Sequence, residues 1–206
     1  MNRCVIIGAG EIKDYKFIKS LIKDNDTIVC ADAGYIHAQR MGLEIECIIG
    51  DFDSSEMPEF DNVITLPVEK DVTDTFYCAK TFLQKGFRSF LLLGVTGGRF
   101  DHSYTNIQTL FYLSQNGCEA YIVDEKNKIY AITENEMSIH FSQYENISFF
   151  ALFGDVTDFE IKNAKYELLP YLLKTYDPLC VSNSFILGKD LFVKKSSGTL
   201  LVIESK

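Results

Sequence analysis

The chain has 206 residues, 47% of them hydrophobic, and a formal net charge of −9 at pH 7. That length suits one large domain or two small ones, with ample apolar material for a packed core. The acidic balance argues against nucleic acid as a main partner, because a phosphate backbone calls for a basic surface.

The charge leaves room for one bound nucleotide whose phosphates a metal ion neutralises. The apolar run at the N-terminus, CVII, is too short for a signal peptide. Nothing approaches the roughly 20 apolar residues that span a bilayer. No membrane partner is expected, and the expected compartment is the cytoplasm. Cys4, Cys30, Cys47, Cys78, Cys118 and Cys180 form no CxxC pair, and His37, His102 and His140 complete no zinc spacing. Cys4, Cys30 and Cys47 lie in apolar runs and read as small core residues.

In chain order, Cys4–Ile7 predicts a first strand that exits through Gly8-Ala9-Gly10. A dinucleotide fingerprint needs glycine at position 13, where Lys13 stands. Phe17, Ile18, Leu21 and Ile22 repeat at helical spacing. Thr27–Ala31 predicts a second strand ending in Asp32-Ala33-Gly34. A helix over Ile36–Met41 stops at Gly42, and Glu46–Ile49 predicts a third strand. Val63–Leu66 is the fourth. Thr73–Lys85 reads as a helix with Phe76, Ala79, Phe82 and Leu83 on one face. Phe90–Leu93 is a fully apolar fifth strand, as in the interior of a parallel sheet. A Gly-rich exit leads to a helix over Ser103–Gln115, and Ala120–Val123 is the sixth strand. This alternation predicts an α/β domain with a mostly parallel, doubly wound sheet over residues 1–124.

The pattern changes after Asp124. Lys128–Thr133, Ser138–Phe141, Ile147–Phe153, Phe159–Ile161, Leu179–Ser182, Leu191–Lys194 and Leu200–Ile203 are short strand-like runs. Glu167–Lys174 reads as a helical turn interrupted by Pro170. An all-β sandwich is expected over residues 125–206.

The chemistry concentrates between Ile48 and Thr75. Asp51, Asp53, Glu69, Asp71 and Asp74 are carboxylates that a buried core does not need. Asp51 and Asp53 leave the C-terminal end of a strand, the edge where open α/β sheets bind ligands. Asp71 and Asp74 are three apart at a helix start and share a face. Each alone also reads as turn or capping chemistry, with Asp71 or Thr73 as the cap. Together, and beside Asp32, they point to hard oxygen ligands for Mg²⁺ and a nucleotide. The loop Gly94–Asp101 adds Thr96, Gly97, Gly98, Arg99 and Asp101, followed by His102, at the same edge.

The segments ADAG (31–34), GDFDS (50–54), KDVTDT (70–75), GVTGGRFDH (94–102) and VSNSF (181–185) resemble the thiamine pyrophosphokinase family, in that order and spacing. The resemblance covers nearly the whole chain. Ala33 and Ser184 depart from the usual family residues, which are Gly and Glu. The resemblance implies transfer of the diphosphoryl group of ATP to the hydroxyl of thiamine, releasing AMP. It implies Asp51, Asp53 and Asp74 as Mg²⁺ ligands, with Asp32 and Asp71 close by. Thr73, Thr96, Gly97 and Gly98 are expected at the nucleotide. Arg99 is expected at phosphate oxygens, and Asp101 at thiamine or at the hydroxyl proton. Ser182 and Asn183 are expected at thiamine. The resemblance further implies a homodimer whose sites draw on both chains. The residues alone leave other readings open: a transferase acting on another small alcohol, or a non-catalytic thiamine- or nucleotide-binding protein. A Rossmann-type oxidoreductase is weakened by Lys13.

Overall fold

The computed structural model describes residues 2–52, 60–67 and 71–206. These divide into two compact units, Met1–Glu125 and Lys126–Lys206.

The first unit alternates strands and helices: β1 (Cys4–Ile7), α1 (Tyr15–Ser20), β2 (Thr27–Ala31), α2 (Gly34–Arg40), β3 (Cys47–Gly50), β4 (Val63–Thr65), α3 (Asp74–Gln84), β5 (Ser89–Leu93), α4 (Phe100–Gln115) and β6 (Glu119–Val123). Its strands lie in the order β6-β5-β1-β2-β3-β4, and every pairing among them is parallel. β1 sits in the middle, with Val5 opposite both Ile28 and Leu91. All four β1 residues are fully buried. A strand covered on both faces cannot alternate polar and apolar residues, which is why CVII is an unbroken apolar run. One face packs Val5, Ile7, Cys30, Ile48 and Leu91 against Ile18 of α1 and Ala38 of α2. Helix α3 packs on β1, β2 and β3, and α4 on α3 and β6. All six cysteines are buried.

Local chemistry sets the helix starts. Asp14 accepts from Phe17 N at 2.9 Å and caps α1. Thr73 accepts from Phe76 N at 3.3 Å and caps α3. Helix α4 begins at Phe100, three residues before the expected Ser103. Phe100 is 81% exposed, so apolar periodicity gives no signal there. Asp101 in the first turn suits the positive end of the helix.

The second unit contains β7 (Asn127–Ile132), β8 (Glu136–Ile139), β9 (Asn146–Ala151), β10 (Val156–Lys162), β11 (Leu168–Leu173), β12 (Asn183–Ser184), β13 (Leu191–Lys194) and β14 (Leu200–Ser205). They run β12-β9-β14-β7 in one layer and β11-β10-β13-β8 in the other, antiparallel throughout. Phe149 of β9 and Phe159 of β10 meet with ring centroids 5.4 Å apart in the sandwich core.

Two expectations are corrected here. Residues 168–173 form a strand, not a helical turn. β11 is the edge of its layer, where a proline that cannot donate to a ladder is tolerated. Residues 179–182 are turns rather than a strand, because Ser182 takes a φ of +57°. Strand pairing resumes only at Asn183.

Candidate active site

β1 and β5 are neighbours in the sheet, yet the chain leaves them toward opposite faces. A crevice opens at such a switch point, outside the carboxyl ends of the strands. The two exits touch: Gly8 N donates to Leu93 O at 2.8 Å and Gly10 N to Gly94 O at 2.7 Å. A Cβ on Gly10 would lie 2.6 Å from that same Gly94 oxygen, so only glycine lets the loops close up. They wall a cleft of about 1090 Å³. Asp32, Asp71, Thr73, Asp74, Thr96, Gly97, Gly98 and Arg99, all singled out from sequence, line it.

The acidic wall comes from two strand–helix connections. Asp32 follows β2 with a φ of +49°, a left-handed turn that Asp tolerates better than most residues. Its backbone N–H donates to Ile49 O at 2.8 Å. Asp71 and Asp74 flank the cap of α3. Thr73 makes the capping bond, and Asp71 and Asp74 both line the cleft. Asp51 sits half-buried at the exit of β3 and does not line the cleft. Phe52 beside it has a φ of +54°, unusual for a bulky side chain, and its ring joins the core cluster. Asp53 and Glu69 lie outside the described residues. Among the described residues no three His, Cys, Asp or Glu side chains gather as a ready metal cluster.

The Gly-rich wall is braced from behind. Buried Asn106 donates Nδ2–H to Val95 O at 2.7 Å, and Thr96 Oγ1–H donates to Asp124 Oδ2 at 2.7 Å. Arg99 forks onto Asp101, Nε to Oδ1 at 3.1 Å and Nη2 to Oδ2 at 2.5 Å. That hydrogen bond raises the guanidinium's pKa and holds the carboxyl below its ordinary value. Both side chains are largely exposed, so the pair adds little to stability. Asp101 does not line the cleft, whereas His102 does.

Sequence reasoning passed over Glu11, Phe76, Thr105, Asn106 and Gln108, which also line the cleft. Asn106 carried a usable signal. It stands at helical spacing with Leu110 and Leu113, an amide on an otherwise apolar stripe, and a buried amide must find partners.

In the second unit, Ser182 is exposed and its backbone N–H donates to Ser148 Oγ at 3.0 Å. Asn183 is 4% exposed. Its Oδ1 accepts from Tyr166 N at 3.0 Å and Ser184 N at 2.8 Å, and its Nδ2 donates to Tyr166 O at 2.7 Å. The amide is occupied in pinning the 163–167 turn to β12.

The fold and the site define a class: a doubly wound α/β unit with an acidic, glycine-walled cleft at its switch point, followed in the chain by an antiparallel sandwich. Known proteins narrow this. Residues 18–122 match the family described as thiamin pyrophosphokinase, catalytic domain, and residues 134–200 match thiamin pyrophosphokinase, vitamin B1 binding domain. The chain belongs to the thiamin pyrophosphokinase family. It is 27% identical over 190 residues to thiamine pyrophosphokinase of Bacillus subtilis (strain 168), covering 88% of this chain and 85% of that protein. The crystal structure of thiamin pyrophosphokinase from Geobacillus thermodenitrificans superposes with a TM-score of 0.85 at 25% identity, covering 99% of this chain and 97% of that one. The crystal structure of the Bacillus subtilis protein gives a TM-score of 0.88 at 23% identity, over 100% and 99%, a likeness of fold. No helix among the described residues is long and apolar enough to cross a membrane.

Proposed function

We propose that the chain is a thiamine diphosphokinase. The thiamine hydroxyl oxygen bonds to the β-phosphorus of ATP, and the bond from that phosphorus to the oxygen bridging the α-phosphate breaks. AMP leaves, thiamine diphosphate remains, and the hydroxyl proton passes to a base or water. The observation that carries this reading is the cleft at the switch point, where Asp32, Asp71 and Asp74 face the Gly94–Arg99 loop. No cysteine lines it, and burial pushes the Cys30 thiol up to about 12 and the Cys180 thiol up to about 11. A direct transfer by positioning and charge neutralisation suits such a site better than a covalent enzyme intermediate.

Hard carboxylate oxygens fit Mg²⁺, which takes one or two carboxylates and fills its sphere with water and phosphate oxygens. On the family resemblance Asp51, Asp53 and Asp74 would hold it; of these Asp74 lines the cleft, with Asp32 and Asp71 beside it, and a metal bound there would neutralise phosphate charge. Thr73, Thr96, Gly97 and Gly98 border the nucleotide, their backbone N–H groups available to phosphate oxygens. Arg99 turns from Asp101 to the phosphates when ATP enters, which frees Asp101 for thiamine or for the hydroxyl proton. On this reading residues 1–124 bind ATP and Mg²⁺. Residues 125–206 bind thiamine through the segment around Ser182 and Asn183, and form a homodimer with shared sites. A cytoplasmic location accords with ATP as co-substrate. AMP formation from ATP and Mg²⁺, with and without thiamine, tests the activity. AMP that appears only with thiamine supports it; no thiamine-dependent AMP overturns it. Sedimentation of the pure chain tests the dimer.

A further inference from the structure

Two acidic residues at the end of β6 take no part in the chemistry above. Asp124 Oδ2 accepts from Thr96 Oγ1 at 2.7 Å. Glu125 Oε1 accepts from both Lys13 N at 2.7 Å and Asp14 N at 2.9 Å. Thr96 belongs to the β5–α4 wall of the cleft. Lys13 and Asp14 close the β1–α1 connection, whose Gly8–Glu11 stretch forms the other wall. Consecutive residues of one strand exit therefore hold both walls.

The reach is long. β6 pairs with β5, and β1 lies beyond β5. Glu125 thus spans the exit of an intervening strand to fix a loop 111 residues earlier in the chain. A plain helix cap does not explain it. Helix α1 already has Asp14 as its cap through Phe17 N, and Glu125 binds amides ahead of the helix. The carboxylate is built to stay charged. Burial, and to a lesser degree the charge of Asp124, push its pKa up, but the N–H groups of Asp14, of Glu125 itself and of Lys13 together outweigh this and hold it below its ordinary 4.5. Bonds to an ionised acceptor are roughly twice as strong as neutral ones. The Gly10–Gly94 bond ties the walls to each other, so the cleft mouth is closed into a frame with β6 at its back.

We propose that Asp124 and Glu125 are positioning residues that set the spacing of the two cleft walls, and so the fit of the nucleotide between them. The nucleotide clause rests on the function proposed above.

The test uses the full chain. Steady-state rates are measured with ATP varied and then with thiamine varied, for wild type, Glu125→Ala, Glu125→Gln, Glu125→Ser, Asp124→Ala and the control Glu119→Gln. Amide hydrogen exchange at Lys13 and Asp14 is followed by NMR in the same proteins. Glu125→Ala should speed exchange at both amides. It should also raise KM for ATP about tenfold, the size expected when two backbone donors lose an ionised acceptor. The kcat and the KM for thiamine should stay near wild type. Glu125→Gln keeps an acceptor oxygen and should recover much of the loss. Asp124→Ala, which removes the acceptor of Thr96 Oγ1, should raise the ATP KM without touching the two amides, and Glu119→Gln should change neither readout. Unchanged exchange in Glu125→Ala overturns the frame. Faster exchange with an unchanged ATP KM overturns its role in nucleotide fit, as does an equal fall in kcat with no change in KM. If Glu125→Ala fails to fold by circular dichroism, Glu125→Ser, whose side chain is too short to reach either amide, decides by the same criteria. The exchange readout needs no turnover, so failure of the frame is distinct from failure of the activity, which shows as no AMP from wild type.

Discussion

Gly34 begins α2 directly over β1. A Cβ built there would lie 2.0 Å from Ile7 O, 2.7 Å from Ile7 C and 3.0 Å from Gly8 C. All three atoms are backbone, and β1 is pinned between β2 and β5, so the helix must move. Overpacking of this kind costs about 1–3 kcal/mol, with backbone clashes at the upper end. Against it stands the better helix propensity of alanine, worth about 1 kcal/mol. The clash wins, and Gly34→Ala should lose about 2 kcal/mol out of a total stability of roughly 5–15. For a chain of this size that lowers Tm by about 4–8 °C. Gly42→Ala is the comparison. Gly42 has a φ of +63° but nothing within 4 Å of its Cβ position, so only the left-handed backbone penalty of about 1 kcal/mol applies. Thermal and urea unfolding should be followed by circular dichroism and tyrosine fluorescence, since the chain has no tryptophan. AMP release should fall as well in Gly34→Ala, because Asp32 lies two residues before the displaced helix. A wild-type Tm for Gly34→Ala, or a loss no larger than that of Gly42→Ala, would refute the close-approach argument.

Asp74→Asn should nearly abolish AMP release while the fold persists, because the change removes one cleft carboxylate and is almost isosteric; near-normal turnover at limiting Mg²⁺ would sink the ligand role. Arg99→Lys should keep the wild-type Tm, since its ion pair is exposed, yet lose much activity because an ammonium cannot make a planar two-pronged contact; full activity in the lysine variant would reduce Arg99 to a charge. Asn183→Ala orphans the Tyr166 N–H, the Tyr166 carbonyl and the Ser184 N–H, and should cost about 2–3 kcal/mol, read as a lower Tm; an unchanged Tm would make the clamp energetically idle. Burial first, then Arg40, holds the His37 pKa below 6.5 against the opposing bond to Gly10. The unfolded chain therefore takes up that proton at higher pH, and stability should fall as pH drops below 6.5 toward the folded value. His37→Phe should lose that part of the slope in urea midpoints, and an identical slope would refute it.

The α/β half was legible because its signals reinforce one another. The unbroken apolar runs of β1 and β5, the cap at Thr73 and the turn glycines each mark the same boundaries. The sandwich was harder. In β11 the proline masked a strand, because a sequence does not show which strands lie at an edge. In residues 179–182 an apolar run suggested a strand, because the left-handed turn at Ser182 is a property of φ, and serine does not announce it. The acidic and glycine segments were readable as chemistry from residue type alone. Their supports were not. Asn106, Asp124 and Glu125 act through hydrogen bonds to residues distant in the chain, which leave no periodicity. The role of Asn183 also differs in kind from what its neighbourhood suggested: its amide is spent on backbone groups.

The central position of β1 bears on how the chain comes off the ribosome. β1 is made well before its second neighbour, β5, which follows only at Ser89–Leu93. At about 5–20 residues per second, the gap between Ile7 and Leu93 takes on the order of ten seconds to synthesise. Throughout that interval one side of CVII is an open, wholly apolar strand edge, the kind of surface that recruits stray strands. The finished protein hides this edge between two parallel neighbours, so its risk of mispairing belongs to the nascent chain and not to the folded one.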